Sequence, residues 1–270
     1  MLRTLFFQMI LSFFLLNVTY VHADQTLLSS IINSSHRAPS NQIRDEYRHP
    51  EQTLEFFGIN PTMTVVEIWP GKGWYSEILA PLLREEGQFI AAGFPLNAGP
   101  KWRQLMQRDY HQWIVDSPRY YDRVSIVELG PPSLWTIGAK NSVDAVLTFR
   151  NVHNWLKGGY ESNMFKAFYQ VLKPGGVLGV TDHRASPDTE LATMNQSGYI
   201  SQDLVIILAQ KAGFILEATS EINANPADDK NHPKGVWTLP PTLRLGKKDK
   251  EHYLAIGESD RMTLRFRKPK

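Results

Sequence analysis

The segment Val65-Val66-Glu67-Ile68-Trp69-Pro70-Gly71-Lys72-Gly73 sets a carboxylate at the end of an apolar run and then turns on two glycines. The run reads as a buried strand, and Ile78, Leu79, Leu82 and Leu83 beyond it read as a helix packed back on that strand. Glycine in such a turn lets a ligand approach the backbone, and the helix N-terminus offers free N–H groups. That combination suits a nucleotide-like cofactor. A charge closing an apolar strand is costly unless it is paired, so Glu67 is expected to meet a ligand or capped turn amides. Two further groups follow apolar runs: His153-Asn154-Trp155 after 143–149, and Asp182-His183-Arg184 after 177–181. Histidine titrates in the range of a general base, so His153 is the first candidate for proton removal. Asp182 or His183 could orient or deprotonate a substrate, and Arg184 could hold an anionic group bidentately or simply pair with Asp182.

These residues act together only if the elements converge. Strands are expected over 64–68, 88–92, 124–127, 143–149, 177–181 and 214–218. The fourth is almost wholly apolar, as a strand buried on both faces should be. Pro50 suits the first turn of a short helix that ends at Gly58. Met164, Phe165, Phe168, Val171 and Leu172 share one face of a helix over 161–172, stopped by Lys173-Pro174-Gly175-Gly176. Residues 261–267 alternate apolar and basic, the mark of a half-buried last strand. Strands separated by helices argue for an α/β, Rossmann-like, mostly parallel seven-stranded sheet with helices on both faces. The last two strands, with no good helix between them, add an antiparallel edge. Open sheets of this kind bind ligands beyond the carboxyl ends of their strands, where His153 and His183 would lie.

The 270 residues divide into a predicted signal peptide over 1–23, a loose arm over 24–40 and one domain over 41–270, with 223–259 as a long loop insertion. The first segment carries Arg3 as its only charge and ends in Val21-His22-Ala23. It implies export, most simply to a bacterial periplasm, with no stable membrane anchor after cleavage. The net charge of +2 and the lack of a long basic block argue against a nucleic-acid partner and leave a small-molecule substrate. Without cysteine there is no disulfide and no thiolate metal site. No two histidines have metal-ligand spacing on one helix, so no metal is expected. The sequence specifies no oligomeric state.

The acid–turn arrangement resembles the class I AdoMet-dependent methyltransferases, whose first motif is an acid, one residue and a Gly-rich turn. Leu172-Lys173-Pro174-Gly175-Gly176-Val177-Leu178 is similar to that family's entry into strand five, and Val143-Asp144-Ala145-Val146-Leu147 to its strand four. More narrowly, Glu67-x-Trp69-Pro70-Gly71-x-Gly73-Trp74-Tyr75, Asn151-Val152-His153-Asn154-Trp155 and 261–269 resemble a group of exported bacterial predicted methyltransferases. The resemblance implies S-adenosyl-L-methionine (AdoMet) as cofactor, with Glu67 near its amino-acid end and Gly71 and Gly73 passing beneath it. It implies Glu128 near the adenine and Asn154 and Trp155 on the substrate side; by their places at the crevice Phe149, Arg150 and Trp69 could border the cofactor and Arg184 the substrate. The chain departs from the family in two places. Trp69 stands where the first glycine is usual, and 91–95 (Ala-Ala-Gly-Phe-Pro) lacks the acid that normally binds the ribose. A non-catalytic, methyltransferase-like binding protein is therefore the alternative reading. A nicotinamide-dependent oxidoreductase is disfavoured by Gly93 standing where its ribose-binding acid would be.

Overall fold

The structure is a computed structural model and describes residues 26–270. The expected signal peptide lies outside the described residues. Seven strands form one sheet: β1 Thr64–Ile68, β2 Gln88–Gly93, β3 Ser125–Glu128, β4 Val143–Phe149, β5 Leu172–His183, β6 Ile215–Ser220 and β7 Arg261–Arg267. Their order is β3-β2-β1-β4-β5-β7-β6. All are parallel except β7, which runs antiparallel to both β5 and β6.

The expected antiparallel pair thus closes one edge, but β7 lies inside it and β6 forms the rim. That placement corrects the half-buried reading of 261–267. Four of the five residues Arg261–Arg265 are buried, and the basic side chains end on partners: Arg261 on Glu258, Arg265 and Arg267 on Glu217.

The two faces of the sheet separate by strand alternation. Val66, Ile68, Val146, Leu178 and Leu264 join helices Glu161–Val171 and Gln202–Lys211 in one core. Val65, Ala145, Leu147 and Val177 join helices Pro50–Phe57 and Ser76–Leu83 in the other. Each fully buried Leu, Ile or Phe contributes about 1.5–3 kcal/mol. Pro50 opens its helix and Gly58 closes it in the left-handed region at φ 73°, as the sequence pattern implies.

The loose arm expected over 24–40 is a correction. Residues 26–32 are helical with Leu28, Ile31 and Ile32 buried. Arg37 is 1% exposed and pairs through both Nη atoms with Asp45, while Asn41 Nδ2 and Ala38 N donate to Glu77 Oε1. Polar composition reads as a loop, yet here the polar groups find buried partners on helix Ser76–Leu83.

The excursion over 223–259 is tied down as well. The Asp228 carboxylate accepts from Tyr199 Oη, His232 Nε2 and the backbone N–H groups of Lys230 and Asp260. Asn223 Nδ2 reaches Thr53 and Thr263, and Asn225 Nδ2 reaches the carbonyls of Ile256 and Glu258. Both the N-terminal segment and this excursion are thereby held over the carboxyl ends of the strands.

Candidate functional site

A cavity of about 570 Å³ lies above the carboxyl ends of β1, β4 and β5. Of the residues singled out in the sequence, it takes in Glu67, Trp69, Gly71, Phe149, Arg150, His153, Asn154 and His183.

On the β1 side the floor is the turn. Glu67 is 3% exposed, and its Oε2 accepts from Ser76 Oγ at 2.7 Å, which in turn accepts from Tyr110 Oη at 3.0 Å. Burial pushes the Glu67 carboxyl up to about 8, against a smaller opposing effect of the Ser76 hydroxyl. The two glycines do different work. A Cβ on Gly71 (φ +63) would meet nothing nearer than Met106 Sδ at 3.8 Å, so its backbone borders open space. A Cβ on Gly73 (φ +81) would lie 2.5 Å from the Trp113 ring. Gly73 therefore serves helix packing and does not line the cavity.

Trp69 adopts φ 49°, a strained value for a bulky residue. Its indole is 4% exposed, donates to Leu129 O at 2.8 Å and packs on Phe94 and Trp155. The ring ties the end of β3 to the cavity, which Glu128 does not line. Phe94, Trp102 and Met106 complete an apolar shelf on this side. No acid follows β2. The space over Gly93 is filled by the Gln107 amide, whose Oε1 accepts from Phe94 N at 2.9 Å.

On the β4–β5 side the wall is polar. Asp182 is fully buried and accepts from the backbone N–H groups of Val152, His153 and His183. Its Oδ1 also lies 2.9 Å from His153 Nδ1. That set of donors fixes Asp182 as the acceptor and assigns the His153 proton to Nδ1. The Nε2 lone pair then faces the cavity side, where it accepts from Asn154 Nδ2 at 2.9 Å. Asp182 itself does not line the cavity; it positions His153. The His183 ring lies 5.2 Å from the His153 ring, with Nδ1 on Ser259 Oγ. Burial, then the neighbouring His153 and arginines, holds His183 well below the usual imidazole range, so it is neutral at pH 7.

Two expected substrate-side residues are corrections. Trp155 is fully buried against Phe165 and Phe168. It follows His153 by two positions on helix Val152–Gly158, a rotation of about 200° at 3.6 residues per turn, so it faces the core. Arg184 turns outward and is bound by Glu221 and Asp260.

A dense charged run in the sequence, residues 44–49, also reaches the site. Arg44 and Arg48 line the cavity, as do Val236, Trp237 and Pro240–Thr242 from the excursion. Arg48 is 4% exposed and stacks over Trp74 at 4.7 Å. Arg150 holds φ 62°, so left-handed residues flank the cavity on both sides. Such strain persists only where the surroundings enforce it, and it collects at ligand sites.

His153, Asp182 and His183 offer nitrogen and oxygen atoms within 4.8 Å of one another, a spacing a metal ion could bridge. The Asp182 oxygens are already committed to four hydrogen-bond donors, and Arg48 and Arg150 bear on the same imidazole. A cation is electrostatically disfavoured there.

No family sequence model matches the chain, and its sequence matches no curated protein. Its fold is nonetheless shared with many solved structures. A SAM-dependent methyltransferase from Aquifex aeolicus superposes with a TM-score of 0.57 at 16% identity, over 89% of this chain and 98% of the other. The [4+2]-cyclase SpnF superposes at 0.56 and 15%, over 88% and 86%. Phosphoethanolamine N-methyltransferase 2 from Haemonchus contortus, solved with S-adenosyl-L-methionine, superposes at 0.53 and 17%, over 83% of this chain and 53% of that one. The architecture is therefore the Rossmann-like methyltransferase fold, the expected class. A cyclase on the same frame shows that the fold alone does not fix the reaction.

Proposed function

We propose that the chain is an AdoMet-dependent methyltransferase acting on a small molecule or envelope component. The observation that carries this reading is the pairing, in one cavity, of the Glu67–Gly71 turn with the His153–Asp182 pair on the facing wall. The residues present fit the cofactor at three points. The open face of Gly71 leaves room for a ligand on the backbone, Glu67 lies beneath it, and Phe94, Trp102 and Met106 offer a shelf for a planar base. Glu67 and the turn at Pro70–Lys72 would hold the amino-acid end. Bound there, the sulfonium supplies an electrophilic methyl group.

The chain's own residues then do the following. His153 accepts the acceptor's proton at Nε2, while Asp182 holds the ring in the required tautomer and stabilises the imidazolium that forms. The acceptor displaces Asn154 from Nε2 or is oriented by it. Trp237, Pro240 and Pro241 line the site from the excursion, where they would help hold the two reactants together.

The alternative reading, a methyltransferase-like binding protein without turnover, draws support from the Gln107 amide seated over Gly93 and from Trp69 in the turn. Titration calorimetry with AdoMet and its demethylated product separates the two. Methyl transfer requires binding of both ligands, lost in Gly71→Trp. No heat at millimolar ligand ends methyl transfer and favours the alternative, a binding protein for another ligand. We further propose that the protein works outside the cytoplasm, on the strength of residues 1–23. A tag after Lys270 recovered as full-length chain in the cytoplasmic fraction would overturn that placement.

A further inference from the structure

A dense charge cluster lies at the cavity wall, and the proton-transfer pair does not use it. Arg44 Nε and Arg48 Nε both donate to Glu258, at 2.6 Å and 3.1 Å, and Arg261 Nη2 reaches the same carboxylate. Arg150 acts on Glu258 electrostatically but makes no side-chain hydrogen bond among the described residues. Four guanidinium groups thus bear on Glu258, and with Asp182 also acting on Arg150 the excess is two positive charges. The next carboxylate, Asp182, is already bound to His153 and three backbone amides.

Two of the four arginines are buried and two half-buried: Arg48 and Arg261 are 4% and 3% exposed, and the Arg44 Nη2, Arg48 Nη2 and Arg261 Nε atoms are buried without a hydrogen-bond partner among the described residues. Burial lowers Arg48 well below the usual arginine range and brings Arg150 to about 10. Unpaired buried cations are among the most costly features a fold can carry, and planar guanidinium forks match oxyanions in geometry. Arg44, Arg48 and Arg150 all face the cavity that holds His153.

We propose that Arg44, Arg48 and Arg150 form an oxyanion subsite that holds a carboxylate or phosphate group of the methyl acceptor beside His153. The acceptor assignment rests on the methyl-transfer reading; the oxyanion site itself does not. An anionic group fixed there leaves the acceptor's neutral O–H or N–H as the part presented to the imidazole. It also places the acceptor across the cavity from Glu67, so the two ligands do not compete for one wall.

The test uses malonate and inorganic phosphate as probes, titrated calorimetrically into the purified full chain, with chloride at matched ionic strength as the control. At least one probe is expected to bind at a single site, and to bind about tenfold or more weakly in Arg150→Met. Arg44→Met serves as a second variant. Arg184→Met removes a cation outside the cavity and is expected to leave binding unchanged. Absence of binding to the unaltered protein, or equal affinity in the Arg150→Met and Arg44→Met variants, overturns the subsite.

A second arm adds AdoMet at saturating malonate. Joint occupancy supports the acceptor assignment. Competition would mean that the arginines hold the cofactor's own carboxylate, and would overturn it. Probe binding with no AdoMet binding sinks methyl transfer, and the acceptor role with it, while the anion site stands.

Discussion

The two walls of the cavity are built on opposite electrostatic plans. The β1–β2 wall is largely apolar: Trp69, Phe94 and Trp102 line it, Lys72 stands at its exposed rim, and Glu67 keeps its proton near pH 7. The β4–β5–β7 wall carries three lining arginines and two histidines over a single shared glutamate. A largely apolar hollow next to a cationic one suits two ligands of different chemistry, one cationic at its amino end and one anionic. The cationic wall is also the less self-sufficient. Its charge is compensated chiefly by Glu258, with Asp182 acting on Arg150, whereas Glu67 meets its burial cost by staying protonated.

The sharpest way to break this contrast is Glu258→Gln. The surrounding arginines pull Glu258 well below the usual carboxylate range against the opposing effect of burial. Its removal leaves buried cations uncompensated and is expected to cost about 3–5 kcal/mol, read from urea denaturation. Part of that loss should return in saturating malonate. A loss below about 1 kcal/mol would show that the wall does not depend on Glu258.

On the other wall, Glu67 gives the pH test. Its folded-state value is raised from 4.5 to about 8, so the folded protein keeps a proton that the unfolded chain gives up. Stability should therefore be fullest below pH 4.5, fall as pH rises through 4.5–8, and level off above. Glu67→Gln should remove this part of the slope and stabilise the protein by a few kcal/mol (order of magnitude) at pH 8 and above. An unchanged slope would mean that Glu67 is ionised in the folded state.

The smallest expected effect divides the two glycines of one turn. Gly73→Ala drives a Cβ into Trp113 and should lower stability by about 1–3 kcal/mol. Gly71→Ala meets open space, so its cost is limited to the backbone term of about 1 kcal/mol, and its main effect should be weaker AdoMet binding. The reverse pattern would place the ligand surface at Gly73.

The same contrast explains what the sequence made legible. The apolar wall comes largely from one stretch, Glu67 to Tyr75, where strand, acid and glycine turn are contiguous. The cationic cluster draws on Arg44, Arg48, Arg150, Glu258 and Arg261. These are brought together because β7 enters the sheet beside β5 and the N-terminal helices dock on that end. A dense run such as Arg44–His49 ordinarily reads as a solvated face, and only the tertiary pairing with Glu258 distinguishes it. Trp155 and Arg184 drew attention as neighbours of His153 and His183. Helix rotation sends the first into the core, and the Glu221–Asp260 pair takes the second outward.

The central claim is that the apolar wall receives the cationic amino-acid end of AdoMet at Glu67. Calorimetric titration with AdoMet at pH 7, in two buffers of different ionisation enthalpy, tests it directly. A cation beside a protonated carboxyl favours its ionised form, so binding should release up to about one proton per site and the observed heat should differ between buffers. Glu67→Gln should erase the difference. Heat that is independent of the buffer in the unaltered protein, or no binding at millimolar AdoMet, would contradict the account.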